Sequence, residues 1–183
     1  MARFGFGRFR SGPFGWRRVS RLVDLVVALG ILGLLAIAGA VLQYRLGPAR
    51  MLTGAAQAID GDSLRLNGEE LRLEGLDAPE YRQSCMTKAG RPVDCGRSAR
   101  RALADLLVRG LVTCEISKLD RYGRGLAHCR VGEIDINAEL VRQGQAVAYG
   151  GYRNEEEQAR AAGRGLWALD FERPETWRRE HPR

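Results

Sequence analysis

The sequence predicts an α+β domain, mainly β, in which a small barrel carries three helices and follows a single transmembrane helix. Three observations support this fold class. An apolar run covers residues 22–42, alternating apolar and polar residues recur in later strands, and three segments carry helix signals such as apolar spacing, N-caps and a glycine at the end. The predicted divisions are a basic segment at residues 1–21, a transmembrane helix at 22–44, a linker at 45–52, the barrel domain at 53–170 and a charged tail at 171–183.

The apolar run is long enough to cross a membrane. Its residues include one charge, Asp24, and a helix of this length spans about 30 Å. Six arginines precede the run, which by the positive-inside rule predicts a cytoplasmic N-terminus and a domain outside the cytoplasmic membrane, periplasmic or extracellular. The alternative is a secreted protein whose signal peptide is cleaved after the small residues 38–40. The length of the run favours an uncleaved anchor.

The positive charge of the chain is unevenly distributed. The net charge is +7, but eight arginines and one aspartate lie before Met51, whereas the 21 basic and 21 acidic residues from Met51 onward cancel. Bulk charge is therefore excluded as a basis for nucleic-acid binding by the domain. Any such binding must use a local patch.

Two hairpins are predicted within the domain, after a first strand at residues 54–59. Residues 63–67 and 69–76 alternate apolar and polar side chains around an Asn-Gly turn, which is a strong hairpin signal. Residues 111–119 and 124–131 form the second hairpin around the sequence DRYG.

Helices are predicted at residues 97–110, 135–144 and 154–165. The first two end at a glycine, and Asp135 and Asn154 stand as N-caps of the second and third. Five strands with one inserted helix and further helices after them predict a closed five-stranded barrel of the OB type.

Four cysteines in the exported part predict two disulfides, for which three pairings are possible. Cys114 and Cys129 are placed symmetrically about DRYG, as if opposite each other on the hairpin. Cys85 and Cys95 would then close a short loop. A zinc site is not favoured, because no CxxC pair exists and His128 points to the opposite face of the strand from its neighbour.

Carboxylates stand at strand ends in two short stretches, DGD (residues 60–62) and LDAPE (residues 76–80). Each stretch alone has a structural explanation, since Asp-Gly is a common turn pair and a proline can end a strand. Hairpin-connected strands can, however, bring the carboxylates of the two stretches close together. Two carboxylates and a main-chain carbonyl form a hard oxygen site suited to Ca²⁺ or Mg²⁺, and adjacent carboxylates need a cation or an arginine nearby.

Other candidate side chains lie close to these stretches. Arg72 is on the strand that leads to LDAPE and Arg124 follows the second turn, and a guanidinium fork suits phosphate. Glu80 can accept a proton from an attacking water, and Tyr122 and Tyr149 can bind a phosphate or stack on a base. Each residue alone has an ordinary explanation as a surface side chain, but all of them together would require several coincidences.

A family resemblance rests on five stretches between residues 53 and 168: IDGDS, LRLEGLDAPE, DRYGRGLA, INAELVRQGQAVAY and AAGRGLW. In their order and spacing they resemble the thermonuclease family, also called staphylococcal-nuclease-like. The resemblance implies an OB barrel with three helices. It also implies Ca²⁺-dependent hydrolysis of DNA and RNA phosphodiesters that leaves 3′-phosphates.

The resemblance also implies a role for each candidate residue. Asp62, Asp77 and the main-chain carbonyl of Ala78 resemble Ca²⁺ ligands, with Asp60 beside them. Ala78 stands where the family often has threonine, which a main-chain carbonyl ligand tolerates. The implied catalytic residues are Arg72, Glu80 and Arg124, and the implied substrate-binding residues are Arg121, Tyr122 and Tyr149.

The sequence therefore predicts a nuclease that acts on DNA or RNA and is anchored in the membrane through residues 22–44. The alternative is a non-catalytic OB-fold module that binds nucleic acid or a protein partner at the cell envelope, and the zero net charge of the domain favours it. A third hypothesis is an envelope protein whose Ca²⁺ site serves stability. The presence of every implied acid and arginine favours the enzyme.

Overall fold

The computed structural model describes residues 16–45 and 50–182, including the side chains of residues 23–40 and of residues 50 onward. The predicted basic segment before residue 16 and the linker residues 46–49 lie outside the described residues. The chain divides into two compact units, Met1–Pro48 and Ala49–Arg183.

The first unit is described as one helix, α1 (Trp16–Arg45). Residues Val23–Ala40 within it have a mean hydropathy of 2.4, and none of this stretch is buried. A helix of this length and composition can cross a membrane, and a signal sequence near the N-terminus has the same two properties.

A curled sheet forms the centre of the second unit. The described residues of this unit contain the strands β1 (Arg50–Gly54), β2 (Ala56–Ala58), β3 (Ser63–Leu66), β4 (Glu69–Leu73), β5 (Leu76–Asp77), β6 (Cys85–Thr87), β7 (Pro92–Val93), β8 (Val112–Leu119), β9 (Gly125–Val131), β10 (Ile134–Asp135), β11 (Val147–Ala148) and β12 (Leu169–Asp170). The main sheet runs in the order β1-β8-β9-β4-β3-β2, with β10 beside β9. Because β1 and β2 are separated by Ala55 alone, both edges of the sheet belong to one segment, and the sheet curls into a half-barrel.

Both predicted hairpins are present. Strands β3 and β4 are joined by Asn67 and Gly68, whose φ angles of 50° and 85° are those of a two-residue hairpin turn. Strands β8 and β9 pair antiparallel with Cys114 opposite Cys129. Strand β4 also pairs in parallel with β9, so the two hairpins lie side by side in one sheet.

The interior of the barrel is filled by alternating apolar side chains. Leu64, Leu66, Leu71 and Leu73 of β3 and β4 are each at most 1% exposed. Burying a leucine side chain stabilises the folded state by about 1.5–3 kcal/mol. The alternation that predicted these strands thus reflects one face in the core and one face outside.

The helices of the second unit are α2 (Cys95–Leu107), α3 (Ile136–Arg142), α4 (Arg153–Ala161) and α5 (Pro174–Glu180), with a short 3₁₀ turn at Gly165–Ala168. Helices α2 and α3 bury apolar residues in the same core as the barrel. Asp135 is the N-cap of α3, as predicted, and accepts the N–H of Ala138 at 2.9 Å.

The predicted N-cap of α4 is wrong. The cap is Tyr152, which has a φ angle of 60°, and not Asn154. The hydroxyl of Tyr152 lies 2.9 Å from Nδ1 of His128 on β9, and its ring is close to Gly75. These long-range contacts fix the start of α4, whereas the prediction used only local preference.

Both predicted disulfides are present in the structure. Cys114 is bonded to Cys129 across the second hairpin, and Cys85 is bonded to Cys95 between β6 and α2. The Cys85–Cys95 disulfide lies in a small hydrophobic core that includes Val147. A three-stranded sheet of order β12-β6-β7 lies beside this core.

The domain has more regular structure than the five strands and three helices predicted. Strand β1 begins at Arg50, inside the predicted linker, because its residues pair with β8 far along the chain. The predicted charged tail contains α5. Several two-residue strands pair loop segments with each other, and local sequence patterns do not predict such short strands.

Candidate active site

Two of the aspartates lie side by side below the surface. Asp62 precedes β3 and Asp77 ends β5, and they are 4% and 3% exposed. The N–H of Leu73 donates to the carbonyl of Asp62 at 2.8 Å, and the N–H of Ala78 donates to Oδ2 of Asp62 at 3.3 Å. The first bond holds the DGD stretch against the end of β4, and the second joins it to LDAPE.

Arg72 pairs with both aspartates. It lies between the buried Leu71 and Leu73 on β4, so its side chain leaves the opposite face of the strand. Its Nη2 is 2.7 Å from Oδ2 of Asp62 and 2.9 Å from Oδ1 of Asp77. Because one nitrogen reaches both carboxylates, their oxygens converge on one point.

The DGD turn fixes the position of Asp62. Oδ1 of Asp60 accepts the N–H of Asp62 at 3.1 Å, and the hydroxyl of Ser63 donates to Oδ1 of Asp62 at 3.1 Å. A Cβ on Gly61 would lie 2.7 Å from the Cβ atoms of Ala78 and of a residue on α2. The glycine therefore permits the close approach of this turn to the end of β5.

The electrostatic environment of Asp62 is unfavourable to its charge. Burial raises the pKa of Asp62 to about 7; Arg72 acts in the opposite direction, and the charges of Asp60 and Asp77 raise the pKa further. An added cation beside Asp62 would stabilise its charged form and lower its pKa.

Glu80 joins the cluster through an arginine that sequence reasoning missed. Nη1 and Nη2 of Arg178, on α5, donate to Oδ1 and Oδ2 of Asp77 at 2.9 Å each, and Nη1 also donates to Oε1 of Glu80 at 3.1 Å. Burial alone would lower the pKa of Arg178, but its hydrogen bonds to Asp77 and Glu80 raise it above the ordinary value. A proline at the first helical position and arginines in the last turn were signals for α5, but none of them indicates where the helix packs.

The loop that carries Glu80 is held from two sides. Oε1 of the buried Gln83 accepts the N–H of Glu80 at 3.2 Å, and its Nε2 donates to the carbonyl of Glu172 at 2.7 Å. Behind the loop, a Cβ on Gly96 would lie 1.8 Å from the carbonyl oxygen of Glu80, so α2 can start there only with a glycine. Sequence reasoning assigned no role to Gln83 or Gly96, because their partners are far along the chain or in the main chain.

Arg124 lies on the neighbouring DRYG turn. Asp120 accepts the N–H of Tyr122 at 2.8 Å, the N–H of Arg124 at 2.9 Å and Nε of Arg124 at 2.9 Å. Burial alone would raise the pKa of Asp120, but these hydrogen bonds hold it below its ordinary value. Nη1 of Arg124 is 3.6 Å from Glu70, and among the ion pairs of residues 50–182 it has none with the two buried aspartates.

Exposed aromatic and basic side chains surround this turn. Tyr122 is 68% exposed, and the guanidinium carbons of Arg121 and Arg124 are 4.7 Å and 5.5 Å from its ring centroid. A shallow groove of about 320 Å³ is lined by the turn and by parts of β4 and β8. Tyr149 is 66% exposed and follows β11, where its N–H donates to the carbonyl of Gly75 at 2.9 Å.

Oxygen donors for a metal come from a small set of residues. Within the described ranges, no group of three or more histidine, cysteine or acidic side chains is arranged to hold a metal ion. A divalent cation at this place would be held by Asp62 and Asp77 with main-chain and other oxygens. It would also have to share Asp77 with Arg178.

Comparison with known proteins identifies a related family. Residues 70–169 match the family model described as staphylococcal nuclease homologue. The match covers more than half of the chain and contains all the predicted site residues except Asp60 and Asp62.

Individual relatives include both named nucleases and other proteins. The chain is 34% identical over 99 residues to a succinoglycan biosynthesis protein of Rhizobium meliloti, covering 50% of this chain and 52% of that protein. It is 34% identical over 112 residues to an uncharacterized endonuclease of Haemophilus influenzae, covering 57% of each. It is 30% identical over 113 residues to a probable staphylococcal-like nuclease of Oryza sativa subsp. japonica, covering 58% of this chain and 27% of that protein. The chain thus spans between about a quarter and somewhat more than half the length of these relatives.

Proposed function

Since the chain belongs to the staphylococcal nuclease homologue family, we propose that it is an endonuclease that hydrolyses phosphodiester bonds of DNA or RNA. The proposal includes Ca²⁺ as the cofactor and products that end in a 3′-phosphate. The main observation in its support is the convergence of Asp62 and Asp77 on one nitrogen of Arg72, with Glu80 beside them.

The donor set fits a calcium ion. Asp62, Asp77 and the carbonyl of Ala78 would hold it, with Asp60 next to them, and all of these donors are the hard oxygens that Ca²⁺ prefers. The pKa of about 7 at Asp62 also indicates a place where an added positive charge lowers the electrostatic free energy. When bound, the ion would supply positive charge that polarises the phosphate.

The two predicted arginines would bind the phosphate. Arg72 faces the carboxylate pair directly, and Arg124 extends from the next turn with its Nε already fixed by Asp120. Planar guanidinium groups match the geometry of phosphate oxygens and stabilise the charge that develops on them in the transition state.

Glu80 would act on the attacking water. Its carboxylate would accept the proton as the water oxygen bonds to phosphorus, and the bond from phosphorus to the 5′ oxygen of the next nucleotide would break. The leaving oxygen takes a proton from solvent, and the 3′-phosphate remains on the other product. The hydrogen bond that the N–H of Glu80 donates to Oε1 of Gln83 supports this loop position.

The nucleotide would lie against the exposed side chains near the two turns. Tyr122 and Tyr149 present rings on which a base can stack, and Arg121 lies against Tyr122 where it can contact a terminal phosphate. The local arginines supply the positive charge that the domain as a whole lacks.

The proposed location is outside the cytoplasmic membrane, with residues 22–44 as a single-pass anchor and the second unit in the periplasm or extracellular space. The apolar helix and two disulfides support this, since disulfides persist in oxidising compartments. Secretion after signal cleavage is the alternative within the same proposal.

A second candidate function is a non-catalytic OB-fold module that binds nucleic acid or a protein partner at the envelope. The observation that favours it is the zero net charge from Met51 onward. A module of this kind would bind nucleic acid without cleaving it.

The test is cleavage of single-stranded DNA and of RNA by the full-length chain in detergent, in Ca²⁺ and in EDTA. We expect Ca²⁺-dependent cleavage, products whose 3′ ends become extendable only after phosphatase treatment, and loss of activity in Glu80→Gln. The matched control is Glu133→Gln, which makes the same chemical change at a fully exposed side chain and should leave the rate unchanged. Binding of either substrate without cleavage by the wild type would favour the second candidate.

A further inference from the structure

Helix α5 places an arginine on the two carboxylates that the proposed reaction uses. Arg178 donates to both oxygens of Asp77, and one of these oxygens also accepts Arg72. The same guanidinium donates to Glu80. In this arrangement Asp77 has no oxygen free of a guanidinium partner.

A divalent cation and Arg178 cannot hold Asp77 in the same way at the same time. A metal ligand must direct an oxygen lone pair at the ion, and guanidinium hydrogen bonds already occupy three of the roughly four lone-pair positions of the Asp77 carboxylate. The two positive charges would also repel each other at this short range, where the carboxylate is buried and poorly screened. Arg178 therefore stands in for part of the charge that a cation would supply.

We infer that α5 is an autoinhibitory element, in which Arg178 competes with the divalent cation for Asp77 and keeps Glu80 from the attacking water. Binding of the cation and the substrate then requires α5 to move off the site. The inference rests on the proposed function, because it takes Asp77 as a metal ligand and Glu80 as the proton acceptor.

The contacts of α5 allow such a movement. In the described part of the chain, the ion pairs between α5 and the rest of the domain are those of Arg178, and the side chain of Arg179 bonds within the helix to Thr176 at 3.2 Å. The residue before the helix, Arg173, faces Glu156 at 3.7 Å, and Glu172 is bonded to Gln83. Pro174, the first residue of α5, is buried, so the chain is anchored up to that residue, and the part of α5 that carries Arg178 can leave while the barrel stays intact.

The first test measures Ca²⁺ affinity by titration calorimetry on the full-length chain in detergent, after removal of metal with EDTA. If α5 blocks the site most of the time, the apparent affinity is the intrinsic affinity multiplied by the fraction of molecules in which the site is open. We therefore expect Arg178→Ala to bind Ca²⁺ about tenfold more tightly than the wild type. Arg179→Ala, which changes the neighbouring arginine on the same helix, should bind like the wild type. Equal affinities of wild type and Arg178→Ala would overturn the inference.

The second test follows α5 itself by hydrogen exchange. The N–H groups of Trp177 and His181 are bonded within this segment, to the carbonyls of Arg173 and Trp177. Addition of Ca²⁺ to the wild type should accelerate exchange in residues 174–181 and leave the barrel strands protected. Unchanged exchange in α5 at saturating Ca²⁺ would contradict the inference, even if the alanine variant misfolds.

Arg178→Lys, which keeps the positive charge but lacks the two-pronged guanidinium group, should bind Ca²⁺ with an affinity between those of the wild type and Arg178→Ala.

Cleavage assays separate this inference from the proposed function. At subsaturating Ca²⁺, Arg178→Ala should cleave DNA several-fold faster than the wild type, and a slower rate would show Arg178 to be part of the catalytic machinery instead. Tighter Ca²⁺ binding by Arg178→Ala without cleavage by any form would support the inference and refute the nuclease. Cleavage by both forms with equal Ca²⁺ affinities would support the nuclease and overturn the inference. If no form binds Ca²⁺, the inference and the metal site are both overturned.

Discussion

The DGD turn and the DRYG turn each place an aspartate against an arginine, yet the two carboxylates have opposite electrostatic character. Burial raises the pKa of Asp62 in the first turn to about 7. Burial acts in the same direction on Asp120 in the second turn, but hydrogen bonds from the main chain and Arg124 lower its pKa below the ordinary value.

The difference comes from the number of donors that each carboxylate receives. Asp120 accepts two main-chain N–H groups and the Nε of an arginine, all within 2.9 Å. Asp62 accepts one main-chain N–H at 3.3 Å and one hydroxyl, and it shares Arg72 with Asp77. A carboxylate whose hydrogen bonds are satisfied holds a turn in shape, whereas one that lacks positive charge is suited to an added cation.

The largest expected effect is on turnover. Asp62→Asn removes a charged oxygen donor from the proposed cation site, and we expect the cleavage rate in Ca²⁺ to fall by at least about 100-fold. Asp120→Asn is the same chemical change at the other turn, and it should lower the rate by less than about tenfold because the amide oxygen can still accept the two main-chain N–H groups. Rates measured on one single-stranded DNA substrate test this, and equal losses would remove the distinction between the turns.

A smaller effect is expected on stability when the arginines are removed. Arg72→Ala leaves two buried carboxylates with less positive charge, so the free energy of unfolding without Ca²⁺ should fall by about 3 kcal/mol. Arg124→Ala leaves Asp120 with its main-chain donors, and the loss should be about 0.5–1 kcal/mol. Thermal unfolding followed by circular dichroism in EDTA gives both values. A larger loss in Arg124→Ala would contradict the comparison.

The smallest expected effect is a pH dependence at the DRYG turn. Because the pKa of Asp120 is lower in the folded than in the unfolded protein, its charge stabilises the fold above the unfolded pKa of about 3.9, and this contribution is lost as pH falls through the folded value. At pH 7 we expect Asp120→Asn to be about 1 kcal/mol less stable than the wild type. The difference should shrink as the pH is lowered below about 4. A difference that stays constant from pH 7 to pH 3 would show that the charge of Asp120 does not contribute.

Local patterns predicted the parts of the fold that depend on near neighbours. The turn at Asn67 and Gly68, the N-cap at Asp135 and the pairing of Cys114 with Cys129 each involve residues close in sequence or symmetric about a turn. Turn preference, capping and strand alternation are short-range properties, so a single sequence contains them.

Long-range contacts account for what the sequence did not predict. Strand β1 starts at Arg50 because β8 pairs with it, and α4 starts after Tyr152 because this ring reaches His128. Arg178 is one of many arginines in the chain, and its place at the site depends on how α5 packs. The roles of the candidate metal and substrate residues remain predictions for the experiments above.

The bond between Gln83 and Glu172 has a consequence for the order in which the molecule is completed. Chains are made from the N-terminus, so the loop around Glu80 is made well before the carbonyl that later fixes it, and Asp77 precedes Arg178 by 101 residues. The barrel hairpins can form from residues that are already present. The local structure around Glu80 is therefore completed only after residues 172–178 have been made and have packed against it.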